Sequence, residues 1–265
     1  MRLTESGRFA LPALAACAVL AALAAALWGL WTVMFSHNDQ YRIERVAVSG
    51  DTSALTPEEI RSVSRIREGA NIFSFTAAAA RRRLLAASLN IADARIRKRL
   101  PSDVSVEIVP RRPIARVLDG EFIRALDRDG LVFPILERDE DRWSDLPMLL
   151  DGGETRRLPP GATLRAVSGT PTEPEGRLAR ALQFLRVADE DPSCPLRVME
   201  ADVSDRVFLV VRSPQGRSFR FVWEELPDAA AIRRALDAVS LVLKAPESRP
   251  YNEFVVMTNR VVARP

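Results

Sequence analysis

The chain has 265 residues, a formal net charge of +3, and a composition that is 47% hydrophobic and 28% charged. Such a composition is typical of a globular protein. It excludes a disordered or collagen-like chain, and the small net charge gives no indication of nucleic-acid binding. Only two cysteines occur, Cys17 and Cys194. Cys17 lies in the apolar N-terminal segment and is far from Cys194 in the sequence. We therefore expect no structural disulfide and a fold stabilised by its core alone.

The first predicted element is a membrane anchor over residues 9–35, where 27 consecutive residues carry no charge. About 20 apolar residues in a helix cross the hydrocarbon core. Arg2 and Arg8 precede the segment, so we expect the short tail before it to stay in the cytoplasm. Two alternatives remain open: the Ala-rich run could be a cleaved signal peptide, or the box ending at Cys17 could direct lipidation.

Residues 36–116 predict a small α+β domain in which two helices lie on one side of a small sheet. Apolar and polar residues alternate where strands are expected, and Thr56 and Pro57 begin a capping box that opens the first helix. The predicted order is strand, helix, helix, strand, strand. The strands are predicted at 41–49, 91–100 and 104–108, and the helices at 56–63 and 76–89.

Residues 117–265 predict a second, mixed and sheet-rich domain, with an exposed loop at 151–175. Strands are predicted at 122–126, 131–136, 207–211, 219–223 and 254–263, and helices at 177–189 and 232–243. We expect the last strand, 254–263, to form an apolar sheet edge at which a strand of another chain can dock. The alternative is an ordinary core strand that is paired on both sides.

The groups that enzymes and metal sites need are sparse in this chain. The one histidine, His37, follows the anchor, with no structured element close enough to hold a catalytic partner. The Asp-Arg-Asp-Gly sequence at 127–130 lacks the further acidic ligands of a calcium loop, which favours a β-turn. The basic stretches 81–83 and 95–99 favour a polar face over a lipid-headgroup or acidic-partner surface. We therefore expect no catalytic residues, no cofactor and no metal.

Three parts of the chain resemble the FtsQ/DivIB family of bacterial cell-division proteins. The first reads Ile-Glu-Arg-Val-Ala-Val-Ser-Gly at 43–50 and Gly-Ala-Asn-Ile-Phe at 69–73. The second runs over 97–115 and includes Leu-Pro, Val-Ser-Val-Glu-Ile and Arg-Arg-Pro-Ile-Ala, and the third is Leu-Asp-Arg-Asp-Gly-Leu-Val-Phe at 126–133. The chain departs from the family at Pro110, where Glu is usual, and near 253–255, where a basic residue is missing.

The resemblance implies an α+β protein with a single N-terminal transmembrane helix. It implies a cytoplasmic tail at 1–8, an anchor at 9–35, a POTRA domain at 36–116, and a β domain at 117–265 that ends in an edge strand. Its place would be the inner membrane at the division septum, with both domains outside the cytoplasm. Its function would be non-enzymatic: it would bind FtsB (DivIC)-like and FtsL-like proteins and help regulate septal peptidoglycan synthesis.

The candidate partner-binding residues lie in the predicted final strand. They are Phe254, Val255, Val256, Met257, Thr258, Asn259, Arg260, Val261 and Val262. In a single strand, Val256, Thr258 and Arg260 would project to one face, and Val255, Met257 and Asn259 to the other. An alternative function is a POTRA-containing component of outer-membrane assembly or secretion, which too few alternating strands disfavour. A membrane-anchored envelope hydrolase would need catalytic groups that the sequence does not supply.

Overall fold

The computed structural model describes residues 7–31, 38–150, 159–164, 174–190, 196–248, 250–257 and 260–264. The chain divides into two compact units, Met1–Pro110 and Arg111–Pro265. Each unit has its own hydrophobic core. The architecture is α+β in both, as the sequence predicts.

Helix α1 (Gly7–Trp31) covers most of the predicted anchor. Its side chains are described from Cys17 to Leu30, and large apolar residues such as Leu27 and Trp28 are exposed along it. Cys17 is a free thiol. Across the described ranges, no helix is both long and apolar enough to cross a membrane. The predicted helix is therefore present, and the membrane span stays a prediction.

The first unit has the predicted order of strand, helix, helix, strand, strand. Its elements are β1 (Arg45–Gly50), α2 (Pro57–Ser64), α3 (Ala77–Ala87), β2 (Ile91–Arg99) and β3 (Asp103–Pro110). The sheet order is β1-β3-β2, with β1 parallel and β2 antiparallel to β3. Apolar residues at every second position of β3 face the helices and are buried.

The first strand begins later than the sequence suggests, because a 3-10 turn at Asp39–Tyr41 precedes it. The residues after this turn pair with the segment that follows α2. The N–H of Ile43 donates to the carbonyl of Ala70 at 2.8 Å, and the N–H of Gly69 donates to the carbonyl of Ile43 at 2.8 Å. These bonds join the two parts of the first family-like stretch, 43–50 and 69–73.

Helix α2 begins at the capping box that the sequence predicts. The hydroxyl of Thr56 accepts the N–H of Glu59 at 3.3 Å, and the N–H of Thr56 donates to the Glu59 carboxylate at 2.8 Å. This backbone bond, helped by a bond from the Thr56 hydroxyl, holds the pKa of Glu59 below its usual value. Pro57 occupies the first helical position, where no hydrogen bond from its nitrogen is needed.

The capping carboxylate should make the stability of this unit depend on pH. Because the folded-state pKa of Glu59 is lowered, its contribution is present above the usual carboxyl pKa and is lost as pH falls through the lowered value. The destabilisation caused by Glu59→Ala should therefore be smaller at about pH 3 than at about pH 7, measured by thermal unfolding. When Thr56→Ala is added to Glu59→Ala, the stability of the double variant should depend on pH in the same way as that of Glu59→Ala alone. An equal loss at both pH values would contradict the assignment.

The second unit contains a nine-stranded sheet in its described part, with the order β12-β11-β10-β9-β8-β7-β4-β5-β6. The strands are β4 (Pro113–Asp119), β5 (Phe122–Asp127), β6 (Val132–Pro134), β7 (Met148–Leu150), β8 (Glu200–Asp202), β9 (Phe208–Arg212), β10 (Ser218–Val222), β11 (Glu253–Met257) and β12 (Arg260–Arg264). The helices are α4 (Glu140–Trp143), α5 (Pro174–Glu190) and α6 (Ala229–Lys244).

Helices α5 and α6 bury their apolar stripes against one face of this sheet, as their 3.6-residue spacing predicts. The rings of Phe184 on α5 and Phe221 on β10 lie 4.8 Å apart. Asp228 caps α6 by accepting the N–H of Ala231 at 2.8 Å. The two longer predicted helices of this domain are confirmed, and α5 begins earlier than predicted, at Pro174.

The second unit differs from the sequence expectations in three places. Residues 113–116, assigned to the first domain, form the start of β4 and pair with β5 in the second unit. The predicted loop 151–175 lies mostly outside the described residues, but its last two residues already belong to α5. The strands β4, β7 and β8 are absent from the prediction. β7 and β8 have three residues each, which are too few to show an alternating pattern.

A buried ion pair lies at the start of the second unit. The guanidinium of Arg111 bonds the carboxylate of Asp127, and the two side chains are only 17% and 6% exposed. The other carboxylate oxygen of Asp127 accepts the N–H of Leu131 at 2.8 Å. The N–H of Gly130 donates to the carbonyl of Asp127 at 3.1 Å. The sequence at 127–130 is therefore a β-turn, as predicted, and the pair joins the second and third family-like stretches.

Gly130 occupies a position that excludes a side chain. Its φ is +82°, and a Cβ atom would lie 2.3 Å from the carbonyl oxygen of Leu164. The N–H of Leu164 donates to the carbonyl of Gly130 at 2.8 Å, so this close approach is part of the fold. Gly216 has a similar φ of +77° but nothing within 4 Å of the same point.

These two glycines make a matched pair of substitutions. Gly216→Ala should cost about 1–2 kcal/mol, because only the backbone conformation is unfavourable. Gly130→Ala adds a collision with main-chain atoms and should cost more than about 3 kcal/mol. Urea unfolding followed by circular dichroism measures both. Equal losses would show that the contact at Leu164 does not constrain the turn.

Candidate partner-binding edge

The predicted final strand is wrong in one respect: residues 254–263 form two antiparallel strands. Strand β11 ends at Met257, and β12 begins at Arg260, which pairs with it. Two residues, Thr258 and Asn259, separate the strands and lie outside the described residues. A two-residue connection is the commonest hairpin loop, and the two polar residues within an apolar run were the available signal.

The first four candidate residues lie in an interior strand and cannot form the edge. β11 pairs in parallel with β10 on one side and antiparallel with β12 on the other. Phe254, Val255 and Val256 are buried. The ring of Phe254 stacks on that of Phe219 in β10, with centroids 5.1 Å apart. Of the candidates, only Arg260, Val261 and Val262 lie in the edge strand, which also contains Ala263 and Arg264.

The reversal at the hairpin also changes which residues share a face. Val261 pairs with Val256 and is half-buried against the core on the α6 side. Arg260 pairs with Met257, so these two side chains share the opposite face. The predicted common face of Val256 and Arg260 is therefore wrong, because it assumed a continuous strand. Along β12, Arg260, Val262 and Arg264 are exposed.

The register decides which backbone groups of β12 point away from the sheet. The N–H of Ser218 in β10 donates to the carbonyl of Asn252 at 2.7 Å, so the even-numbered residues of β11 point toward β10. The odd-numbered residues then bond their partners in β12, which are Arg260, Val262 and Arg264. The N–H and C=O groups of Val261 and Ala263 therefore point to the free side.

The opposite end of the sheet is covered. Strand β6 has three residues and ends at Pro134, which lacks an N–H. The described segment 159–164 lies beside it: the N–H of Val132 donates to the carbonyl of Ala162 at 2.8 Å, and the N–H of Gly161 donates to the carbonyl of Val132 at 2.8 Å. No described residue pairs with the outer side of β12. An open edge of this kind can accept a strand from another chain.

The basic stretch 95–99 is a polar strand face, as predicted, except at one residue. Arg95, Arg97 and Arg99 alternate on the exposed side of β2. Lys98 points inward: its Nζ donates to the carbonyl of Phe75 at 2.5 Å and lies 4.1 Å from the centre of the Phe75 ring. Burial lowers the pKa of Lys98. Its ammonium group thus meets a carbonyl oxygen and the face of an aromatic ring.

The remaining candidates contribute no chemistry to the described structure. His37 lies outside the described residues. Asp127 is occupied by its bonds to Arg111 and Leu131. Among the described residues, no three His, Cys, Asp or Glu side chains come close enough together to hold a metal ion.

Residues 41–111 match the family model described as POTRA domain, FtsQ-type. Over 111 residues the chain is 32% identical to a protein named Cell division protein FtsQ from Streptomyces bingchenggensis (strain BCW-1). Both findings support the resemblance of this chain to the FtsQ/DivIB family. The aligned part is 38% of this chain and 42% of that FtsQ protein, so the match spans less than half of the relative's length.

The FtsQ-type domain contains all three strands of the first unit and ends one residue beyond it, at residue 111. The strands and helices between β1 and β3 therefore form the POTRA domain of this chain. The domain match stops at residue 111, well before β12. A role for the β12 edge consequently depends on the geometry of the second unit.

Proline substitutions should distinguish the two sides of β12. Val262→Pro removes an N–H that bonds β11 and should destabilise the hairpin by about 1–3 kcal/mol. Ala263→Pro removes an outward N–H and should cost less than about 1 kcal/mol, because edge strands accept proline where the N–H faces solvent. Thermal unfolding of the two variants measures the difference. The reverse order would show that the assigned hydrogen-bond pattern is wrong.

Proposed function

We propose that this protein is a non-enzymatic cell-division scaffold that accepts a strand of a bitopic division protein at the β12 edge. The observation that carries the proposal is the open edge at Val261 and Ala263, in a chain with an FtsQ-type POTRA domain. The family match also favours this role over a POTRA-containing component of outer-membrane assembly or secretion. The partners would be FtsB (DivIC)-like and FtsL-like proteins.

The proposed location is the inner membrane at the division septum, with the POTRA domain and the second unit outside the cytoplasm. Residues 9–35 carry no charge and are preceded by Arg2 and Arg8, which supports an anchor with a cytoplasmic N-terminus. The described helix α1 supplies the conformation that such a segment needs, since it satisfies its own backbone groups. The anchor would restrict the scaffold to the membrane surface on which its bitopic partners lie.

In the proposed mechanism, the partner contributes a tenth strand to the sheet. Its backbone would exchange hydrogen bonds with Val261 and Ala263, and these bonds supply affinity. Its alternate side chains would meet the two faces of β12 and supply selectivity. Holding the partners in this way would help regulate the septal peptidoglycan synthase without any chemistry by the scaffold itself.

The cellular role can be tested in dividing cells. A fluorescent fusion of the full chain should concentrate at the septum, and depletion should produce filaments because division stops. A fusion that lacks residues 9–35 should lose the septal signal if this segment is the anchor. Diffuse signal from the full chain together with normal division after depletion would refute the division role.

The edge can be tested by co-purification of the division partners with the full chain. Ala263→Pro should reduce partner recovery at least about tenfold, because an outward donor is lost and the ring blocks the approach of a strand. Ala263→Ser is the matched control: it retains the N–H and a small side chain and should leave recovery unchanged. Full recovery with folded Ala263→Pro would exclude strand addition at β12.

A further inference from the structure

The exposed face of the edge strand has a regular chemical pattern. Arg260, Val262 and Arg264 project from β12 on the side away from the core, and Val262 is 43% exposed. Behind Val262, the paired residue Val255 is only 6% exposed. The edge therefore presents one apolar side chain, continuous with a buried apolar neighbour, between two cationic side chains.

The two cations are not neutralised within the described structure. Neither Arg260 nor Arg264 forms an ion pair with a described residue. The guanidinium of Arg260 contacts the sulfur of Met257 at 3.3 Å, and Glu253 lies opposite Arg264 in the register without an ion pair to it. The positive charge at this edge is available to an incoming strand.

The same charges disfavour a second copy of the chain as the occupant. If two β12 strands paired antiparallel about Val262, each Arg260 would lie opposite the Arg264 of the other copy. Like charges directly opposite each other on neighbouring strands are destabilising. Charged edge residues of this kind prevent self-association of open sheets. The edge is thus suited to a partner of opposite charge.

The core side of the edge sets a different requirement. Val261 and Ala263 are half-buried and pack against the core of the second unit. A strand beside β12 would place its core-facing side chains next to these two residues. Small or β-branched apolar side chains fit such positions, because a charged side chain would lose water there without gaining a partner.

We propose that the strand accepted by β12 has acidic residues at its first and fifth positions and apolar residues at the three positions between them. The acidic residues meet Arg260 and Arg264, the third residue meets Val262, and the second and fourth meet Val261 and Ala263. Arg260 and Arg264 lie symmetrically about Val262, so the pattern is the same for a parallel and an antiparallel partner. This inference rests on the proposed strand addition and specifies the chemistry of the partner.

Two labelled peptides test the pattern against the full chain in detergent micelles. Thr-Glu-Val-Val-Ala-Glu-Thr has the required acidic residues, and Thr-Lys-Val-Val-Ala-Lys-Thr is its matched basic control. By fluorescence anisotropy, the acidic peptide should bind about tenfold more tightly than the basic one at low salt. Added salt should reduce the difference, because both ion pairs are exposed to solvent. The double variant Arg260→Glu/Arg264→Glu should reverse the preference.

Equal binding of the two peptides, tighter binding of the basic one, or no binding of either would overturn the proposed pattern. Ala263→Pro and its control Ala263→Ser separate this failure from failure of strand addition itself. If both peptides bind equally and Ala263→Pro alone abolishes binding, the edge accepts strands but does not select by charge. If the acidic peptide binds Ala263→Pro and Ala263→Ser equally well, binding is electrostatic without strand pairing, which refutes both proposals.

Discussion

A β-sheet leaves backbone donors and acceptors unpaired along its two outer strands, and these groups need a partner or water. In the second unit, this demand is met differently at the two ends of one sheet. The segment 159–164 hydrogen-bonds to Val132 and covers the short strand β6. At the other end, the outward groups of Val261 and Ala263 have no partner among the described residues. The candidate site is the direct consequence of this asymmetry.

The hairpin formed by β11 and β12 explains why this edge is both stable and accessible. β11 is buried between two strands, and its Phe254 stacks on Phe219, so it holds the hairpin firmly in the core. β12 is attached to it through a pairing of five residues and has one side left open. Arg260 and Arg264 are exposed on this strand, and charged residues on an open edge disfavour pairing between copies. Stability and availability are thus assigned to different strands of the same hairpin.

The stretches that resemble the FtsQ/DivIB family correspond to contacts between segments that are distant in sequence. Residues 43–50 and 69–73 belong together because Ile43 exchanges hydrogen bonds with Gly69 and Ala70. The later stretches meet through the buried pair of Arg111 and Asp127. Each motif therefore contributes contacts that hold the fold together. The proposed partner-binding role rests instead on the β12 edge, where the outward groups of Val261 and Ala263 have no partner among the described residues.

Local patterns in the sequence determined most of the elements. Alternation predicted the strands of the first unit, the capping box at Thr56 predicted the start of α2, and helical spacing predicted α5 and α6. These features depend on neighbouring residues, so the sequence alone contains them. The family resemblance, supported by the FtsQ-type match over 41–111, could also be read from the sequence.

Only the tertiary structure decided the site. The sequence indicates an apolar final strand, but the same apolar pattern fits both a buried strand and an edge strand. The pattern also does not show that the chain reverses between Met257 and Arg260. Which residues form the edge depends on the pairing of β11 with β10, a contact between segments separated by the whole of α6. The direction of the free groups of Val261 and Ala263 follows from that pairing, because hydrogen-bond direction alternates along a strand. The pairing of β12 with β11 likewise places Arg260 and Val262 on the same exposed face.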